Sequence, residues 1–183
     1  MTDPYGIPDN MFGYDLGEFP ALVGRVVMVA AVVELKLEFL VMSLSGESQE
    51  AHAGKSAKAS IDLCIKLLKS RRVDFPDEPA AFADHVVTLL NDVEVALHQR
   101  NAVVHSRWPE PGRGWRNLPK NQRVSGPAFG SPDWTKWIQI DEDHLQSLIL
   151  LLCGLVDRLA QAIGMAGSLE MHSSERGPGR DSR

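Results

Sequence analysis

The segment His98-Gln-Arg-Asn-Ala-Val-Val-His-Ser-Arg-Trp108 ends the third of four helical patterns in this chain, and the interpretation of the fold depends on it. Upstream, apolar residues recur at alternating spacings of four and three, at Val86, Leu90, Val93 and Leu97. This spacing is typical of a helix that turns one face toward a core. The same stripe continues to Arg100 and Val104, so an arginine occupies a position where the pattern favours an aliphatic side chain. Because burying a guanidinium is costly unless it is paired or functional, Arg100 is the first candidate functional residue.

Two polar residues accompany Arg100 on this segment. Asn101 and His105 are four residues apart and share one helical face, while His98 precedes His105 by seven residues and lies near that face. The sequence Arg100-Asn101-Ala-Val-Val-His105 resembles the R-N-x-x-x-H motif of HEPN domains. These are small helical bundles found in toxin–antitoxin, abortive-infection (phage-defence) and RNA-processing systems. The resemblance covers the helical body and neither terminal segment.

The resemblance implies a metal-independent ribonuclease that uses Arg100, Asn101 and His105 as catalytic residues in a site assembled across a homodimer. The strand's own 2′-hydroxyl would attack the phosphate, which requires a base, an acid and positive charge on the phosphorane. A histidine can transfer the protons, and an arginine can bind two phosphoryl oxygens at once. Arg100 and His105 diverge by about 140° on an ideal helix. A two-fold dimer would place two such sets in one cleft. No cofactor is expected, and the sequence has no metal-ligand cluster.

The whole chain predicts an all-α fold, a four-helix up-and-down bundle like that of HEPN domains. The helices are expected at about 20–45, 56–71, 80–107 and 141–163, with Gly46 ending the first and Asp141 capping the fourth. The bundle would span residues 20–165, after an irregular N-terminal arm (1–19) and before a disordered C-terminal tail (166–183). The long Pro/Gly-rich loop at 109–137 is compatible with a short hairpin around Arg123–Val124 and Lys136–Ile140.

Apolar spacing also predicts the inward face of the other helices. The inward positions are Val23, Val27, Ala30, Glu34, Leu37, Val41 and Leu44 on helix one, Ile61, Cys64, Ile65 and Leu68 on helix two, and Leu145, Leu148, Leu152, Leu155, Leu159 and Ile163 on helix four. Glu34 interrupts an apolar stripe as Arg100 does, which predicts an ion pair between them; the alternative is a solvated Glu34 at the stripe's edge. Cys64 and Cys153 are both predicted to be buried thiols in a reducing cytosol.

Positive charge is concentrated in two regions of a chain whose formal net charge is −5. Residues 107–123 contain five cations and one anion, a net +4, and the residues expected to contact RNA are Arg107, Trp108, Arg113 and Arg116. The alternative is a loop whose tryptophans cover the end of the bundle. Helix two is also cationic, and a simply solvated face is the favoured interpretation there.

The sequence predicts a cytoplasmic protein, because residues 1–20 lack the pattern of a signal peptide and the apolar runs are shorter than a membrane span. A second functional class stays open beside the ribonuclease. In it, the chain is a noncatalytic HEPN-like module that dimerises or binds RNA or a partner protein, such as an antitoxin. Some toxin members of the family carry a tyrosine two residues after the histidine as a target for antitoxin modification. Arg107 occupies that position here, so this form of regulation is not expected.

Overall fold

A computed structural model of the chain describes residues 18–74, 80–104, 122–125 and 138–175. Within these ranges the α-helices are α1 (Phe19–Ser45), α2 (Ala57–Asp74), α3 (Ala80–Val104) and α4 (Glu142–Glu175). An antiparallel pair, β1 (Gln122–Ser125) and β2 (Ile138–Asp141), precedes α4, and Arg123 lies opposite Ile140 in its register. The prediction of a helical bundle with four helices and a hairpin in the long loop is therefore confirmed. The predicted N-terminal arm lies almost wholly outside the described residues.

Two predicted helix ends are confirmed by their local geometry. α1 ends at Ser45, and Gly46 follows it with a positive φ of 68° while its N–H donates to the Met42 carbonyl at 2.9 Å. This left-handed conformation is easiest for glycine and closes a helix. At the start of α4, the Asp141 carboxylate accepts a hydrogen bond from the His144 N–H at 2.8 Å, as an N-cap does.

The end of α4 was predicted too early. The sequence placed it near Ile163, with a disordered tail from residue 166, but the helix continues to Glu175. Ala162 and Ala166 are buried and extend the inward spacing of the preceding leucines, whereas Ile163 is only half-buried. Burial of these small side chains outweighs the low helix propensity of Gly164 and Gly167. The last eight residues of the predicted tail, 176–183, lie outside the described part of the chain.

The chain divides into two compact units, and α1, α3 and α4 contribute to both. The first unit comprises Met1–Ala30 and Ala96–Leu151, and its buried apolar residues are Leu22, Val26, Ala30, Ala96, Leu97, Val103, Ile140, Leu145 and Leu148. The second comprises Ala31–Val95 and Leu152–Arg183, and its largest fully buried side chains are Leu37, Leu40, Ile61, Leu89, Leu90, Leu152, Leu155 and Leu159. Each unit therefore has an apolar core of its own.

The inward face of α1 was predicted correctly at Ala30 and in the second half of the helix, and incorrectly at Val27. Leu37, Val41 and Leu44 are buried as expected. At the beginning of the helix, however, Val26 is fully buried while Val27 is 43% exposed. The first turns are apolar almost all round, so the sequence alone does not fix which side faces inward.

Candidate functional site

Arg100 lies in the last turns of α3, in the first compact unit. The core stripe that precedes it is confirmed, because Val86, Leu90, Val93 and Leu97 are all buried. Arg100 itself is half-buried, and its Nε atom is inside the protein. The prediction that Val104 continues this buried stripe is wrong, because Val104 is 40% exposed whereas Val103 is fully buried. The buried residues at the end of α3 are instead Ala96 and Val103, which are seven residues apart and lie about 80–100° round the helix from the earlier stripe.

The remaining motif residues are only partly placed by the structure. Asn101 follows Arg100 and is exposed, and His98 is also exposed on α3. The described part of α3 ends at Val104, so His105 lies outside the described residues, as do Arg107, Trp108, Arg113 and Arg116. Arg100 and Asn101 are thus the described motif residues, adjacent near the end of α3, and the site itself stays a prediction.

Glu34 is half-buried on α1, next to the fully buried Val33. It therefore lies at the edge of the apolar stripe and not within it. Glu34 and Arg100 each take part in a polar or electrostatic interaction, and they belong to different compact units. The ion pair between them stays a prediction.

Two ion pairs join neighbouring helices within the second unit. Arg158 of α4 donates to Asp92 of α3 at 2.8 Å. Lys58 of α2 lies 2.9 Å from a carboxylate oxygen of Glu94 on α3 and 3.1 Å from Asp62 on its own helix. The hydrogen bond to Glu94, and then that to Asp62, raises the pKa of the Lys58 ammonium. Lys58 is thus neutralised by neighbouring carboxylates, which makes this one position of α2 poorly suited to binding a phosphodiester.

A polar cluster around His52, which the sequence analysis missed, lies in the connection between α1 and α2. His52 is only 2% exposed. Its Nε2 atom lies 3.2 Å from Ser45 Oγ and 3.1 Å from Glu47 Oε2, and its Nδ1 atom lies 2.9 Å from Lys55 Nζ. The only sequence signal was a histidine among serine, glutamate and lysine within about ten residues, and such a mixture is common in polar connections.

The hydrogen bonds of this cluster distinguish a structural role from a catalytic one. A lysine ammonium only donates, so His52 Nδ1 accepts from Lys55 and the ring proton is on Nε2. Ser45 and Glu47 both approach that same nitrogen. In a serine triad the nucleophile and the acid contact opposite nitrogens, and the nitrogen facing the serine must accept its proton. The cluster therefore fastens the connection between α1 and α2 and does not activate Ser45.

The two cysteines have different environments. Cys64 on α2 is fully buried as predicted, and burial raises the pKa of its thiol to about 12. Cys153 was predicted to be buried, but it is exposed. It follows the buried Leu152 and lies about 100° further round α4, outside the stripe formed by Leu148, Leu152 and Leu155.

We expect only one of these thiols to react quickly with a thiol reagent in the native protein. The thiolate is the reacting form, and Cys64 is both inaccessible and protonated at neutral pH, whereas Cys153 is accessible. The rate of colour release from Ellman's reagent at pH 8 measures this, with the unfolded chain as the two-thiol reference. Cys153→Ser should remove the fast phase. A fast phase that persists in this variant would contradict the burial of Cys64.

No group of three or more His, Cys, Asp or Glu side chains that could hold a metal ion occurs among the described residues. By length and apolar composition, Glu142–Ser168 of α4 could cross a membrane. Core helices of soluble proteins meet the same criterion, and the buried leucines of this segment follow the spacing of a bundle helix. The predicted cytoplasmic location stays a prediction.

No family model, curated protein or solved structure matches this chain. The resemblance to HEPN domains accordingly rests on the motif from Arg100 to His105 and on the helical architecture.

Proposed function

We propose that this chain is a HEPN-like ribonuclease that cleaves RNA by attack of the 2′-hydroxyl, without a metal ion, as a homodimer. The observation that supports the proposal best is the position of Arg100. It is a half-buried cation with an interior Nε atom, it precedes the exposed Asn101, and it lies five residues before His105. A charge held in place by its surroundings is suited to stabilising a transition state, because little reorganisation is needed when charge develops.

Each residue of the motif has a distinct role in this proposal. Arg100 would bind the non-bridging oxygens of the scissile phosphate, where negative charge accumulates. His105 would take the proton from the 2′-hydroxyl and give one to the leaving 5′-oxygen, and the Arg100 that completes its site would belong to the second copy. Asn101 would orient His105 or bind the phosphate. Such an activity suits a toxin or phage-defence effector that an antitoxin or another partner protein holds in check.

A noncatalytic module that dimerises or binds RNA or protein is the second candidate function. The observation that favours it is the amount of apolar surface that α1 exposes, including Met28 at 71% and Val27 at 43%. Exposed apolar patches commonly mark interaction surfaces. A dimerisation surface is compatible with both candidates, so RNA cleavage itself must distinguish them.

The experiment that tests the proposed function is incubation of the full-length protein with labelled transfer and messenger RNA in the presence of EDTA. We expect cleavage that leaves a 2′,3′-cyclic phosphate, because the attacking oxygen belongs to the substrate. A folded protein, verified by circular dichroism, that leaves RNA intact would favour the noncatalytic module. Cleavage that occurs only with added divalent metal would contradict the mechanism.

A further inference from the structure

The buried ring of His52 lies between a carboxylate and an ammonium group. Its Nε2 atom is 3.1 Å from Glu47 Oε2, and its Nδ1 atom is 2.9 Å from Lys55 Nζ. The ring is only 2% exposed, whereas Glu47 and Lys55 both reach solvent. All three residues belong to the second compact unit. A histidine in this position has a different set of hydrogen bonds in each of its two protonation states.

The contact between His52 and Lys55 requires a neutral ring. An ammonium group donates and never accepts, so Nδ1 has to offer a lone pair to Lys55. When the ring takes up a proton, both ring nitrogens become donors. Two cations would then face each other across 2.9 Å, and the hydrogen bond between them would have no acceptor. Because Lys55 is exposed, its ammonium group can turn into solvent, which removes the conflict at little cost.

The contact between His52 and Glu47 depends on the proton in the opposite way. A neutral Nε2–H donates to the carboxylate, and an imidazolium does so with the added attraction of opposite charges. Ser45, the last residue of α1, lies 3.2 Å from the same nitrogen, so this side of the ring also faces the C-terminal end of a helix, where a cation is stabilised. A protonated ring is thus stabilised on its Nε2 side and opposed only on its Nδ1 side.

Other charged residues close to His52 in the sequence are engaged elsewhere. Glu50, which lies in the same connection, bonds to a serine two residues before it. Lys58, in the first turn of α2, bonds to carboxylates of α2 and α3. Glu47 and Lys55 are therefore the charged groups that the structure places against the two ring nitrogens. The response of the ring to a proton depends on these two contacts.

We propose that His52 is a pH-dependent latch on the connection between α1 and α2. The neutral ring holds Lys55, whereas the protonated ring keeps Glu47 and releases Lys55. The released segment begins at Gly54, which has a positive φ of 77°, and ends at Ser56, whose Oγ caps the start of α2. Histidine is the side chain that ordinarily changes charge between about pH 5 and 8, so the release is expected in that range. The latch does not depend on RNA cleavage.

The first test observes the contact with Lys55 directly, by NMR of the full chain at about pH 7.5 and pH 5. The nitrogen-15 shifts of the His52 ring report its protonation state. We expect the nuclear Overhauser contact between the Lys55 ε-protons and the proton on His52 Cε1 to be present at the higher pH and lost at the lower one. A ring that takes up the proton while this contact persists overturns the proposal, and so does a ring that stays neutral at pH 5.

The second test measures how the latch affects the backbone of the connection, by amide hydrogen exchange. The Lys55 N–H donates to the His52 carbonyl through a long bond of 3.3 Å. We expect the protection of this N–H, corrected for the intrinsic effect of pH, to fall by about tenfold from pH 7.5 to pH 5. In Lys55→Met the protection should be low at both pH values, whereas Lys66→Met, at an exposed lysine of α2, should respond as the wild type does. A wild-type response in Lys55→Met, or its loss in Lys66→Met, overturns the proposal.

Discussion

Replacing His105 by alanine is expected to lower the rate of RNA cleavage by about 10²- to 10⁴-fold, the contribution typical of a positioned proton-transfer group. Among the motif residues, only histidine titrates near neutral pH, so neither Arg100 nor Asn101 can substitute for it. Single-turnover cleavage of a labelled RNA measures the effect on the chemical step. Because alanine adds neither bulk nor charge, we expect the fold and the dimer to be unaffected.

His85→Ala is the matched control for this prediction. His85 is an exposed histidine near the start of α3, twenty residues before His105 in the sequence and outside the motif. The His85→Ala variant should cleave RNA at the wild-type rate. Cleavage that survives His105→Ala would mean that the site has been assigned to the wrong residues. An equal loss in both variants would indicate damage to α3 and not the removal of a proton-transfer group.

Mixing two inactive variants tests whether the site is shared between subunits. If Arg100 of one copy acts with His105 of the other, then Arg100→Met mixed with His105→Ala forms heterodimers with one complete site. Random exchange makes half of the dimers mixed, so about a quarter of the wild-type activity should return. If subunit exchange is demonstrated and RNA cleavage still does not recover, each site would lie within one subunit. Catalysis would then not require a dimer.

The helices were predictable where polar residues mark their outer face. On α4, Gln146, Ser147 and Asp157 are exposed, and the structure confirms the predicted buried stripe of Leu145, Leu148, Leu152, Leu155 and Leu159. On the first half of α1, Arg25 is the only charged residue between positions 21 and 33, so several phases of the helix fit the spacing equally well. The error at Val27 has the same cause as the exposed apolar face. Both arise because the sequence there does not separate an inner side from an outer one.

The candidate site was predictable as a set of residue types but not as a geometry. Arg100 was recognised because its charge interrupts an apolar stripe. Its half-buried side chain agrees with a position at the edge of the core. Its relation to Glu34 depends on the relative rotation of two helices, which spacing along one chain does not determine. The His52 cluster was missed because its partners, Ser45, Glu47 and Lys55, meet through a loop conformation and not through a helical repeat.

A pair of adjacent valines at the end of α3 gives the second large expected effect. Val103 is fully buried in the first unit, whereas Val104 is 40% exposed. Val103→Asp would place a carboxylate in the apolar core and should lower the free energy of unfolding by about 3–5 kcal/mol. Val104→Asp should lower it by no more than about 1 kcal/mol. Urea denaturation, followed by circular dichroism at one protein concentration, measures both.

The comparison isolates burial because the two variants share every other consequence of the substitution. Each replaces valine by aspartate in the last turn of α3 described by the structure, so each carries the same change in helix propensity and nearly the same unfavourable interaction with the C-terminal helix dipole. The continuous apolar stripe of the sequence names Val104 as the inward residue, whereas the structure names Val103. A larger loss of unfolding free energy in Val104→Asp would therefore show that Val104 is the inward residue, as the sequence predicted. Arg100 would then lie deeper in the core than the structure places it. The expected larger loss of unfolding free energy in Val103→Asp would agree with a half-buried Arg100 at the border between core and solvent. There its guanidinium can contact a phosphate.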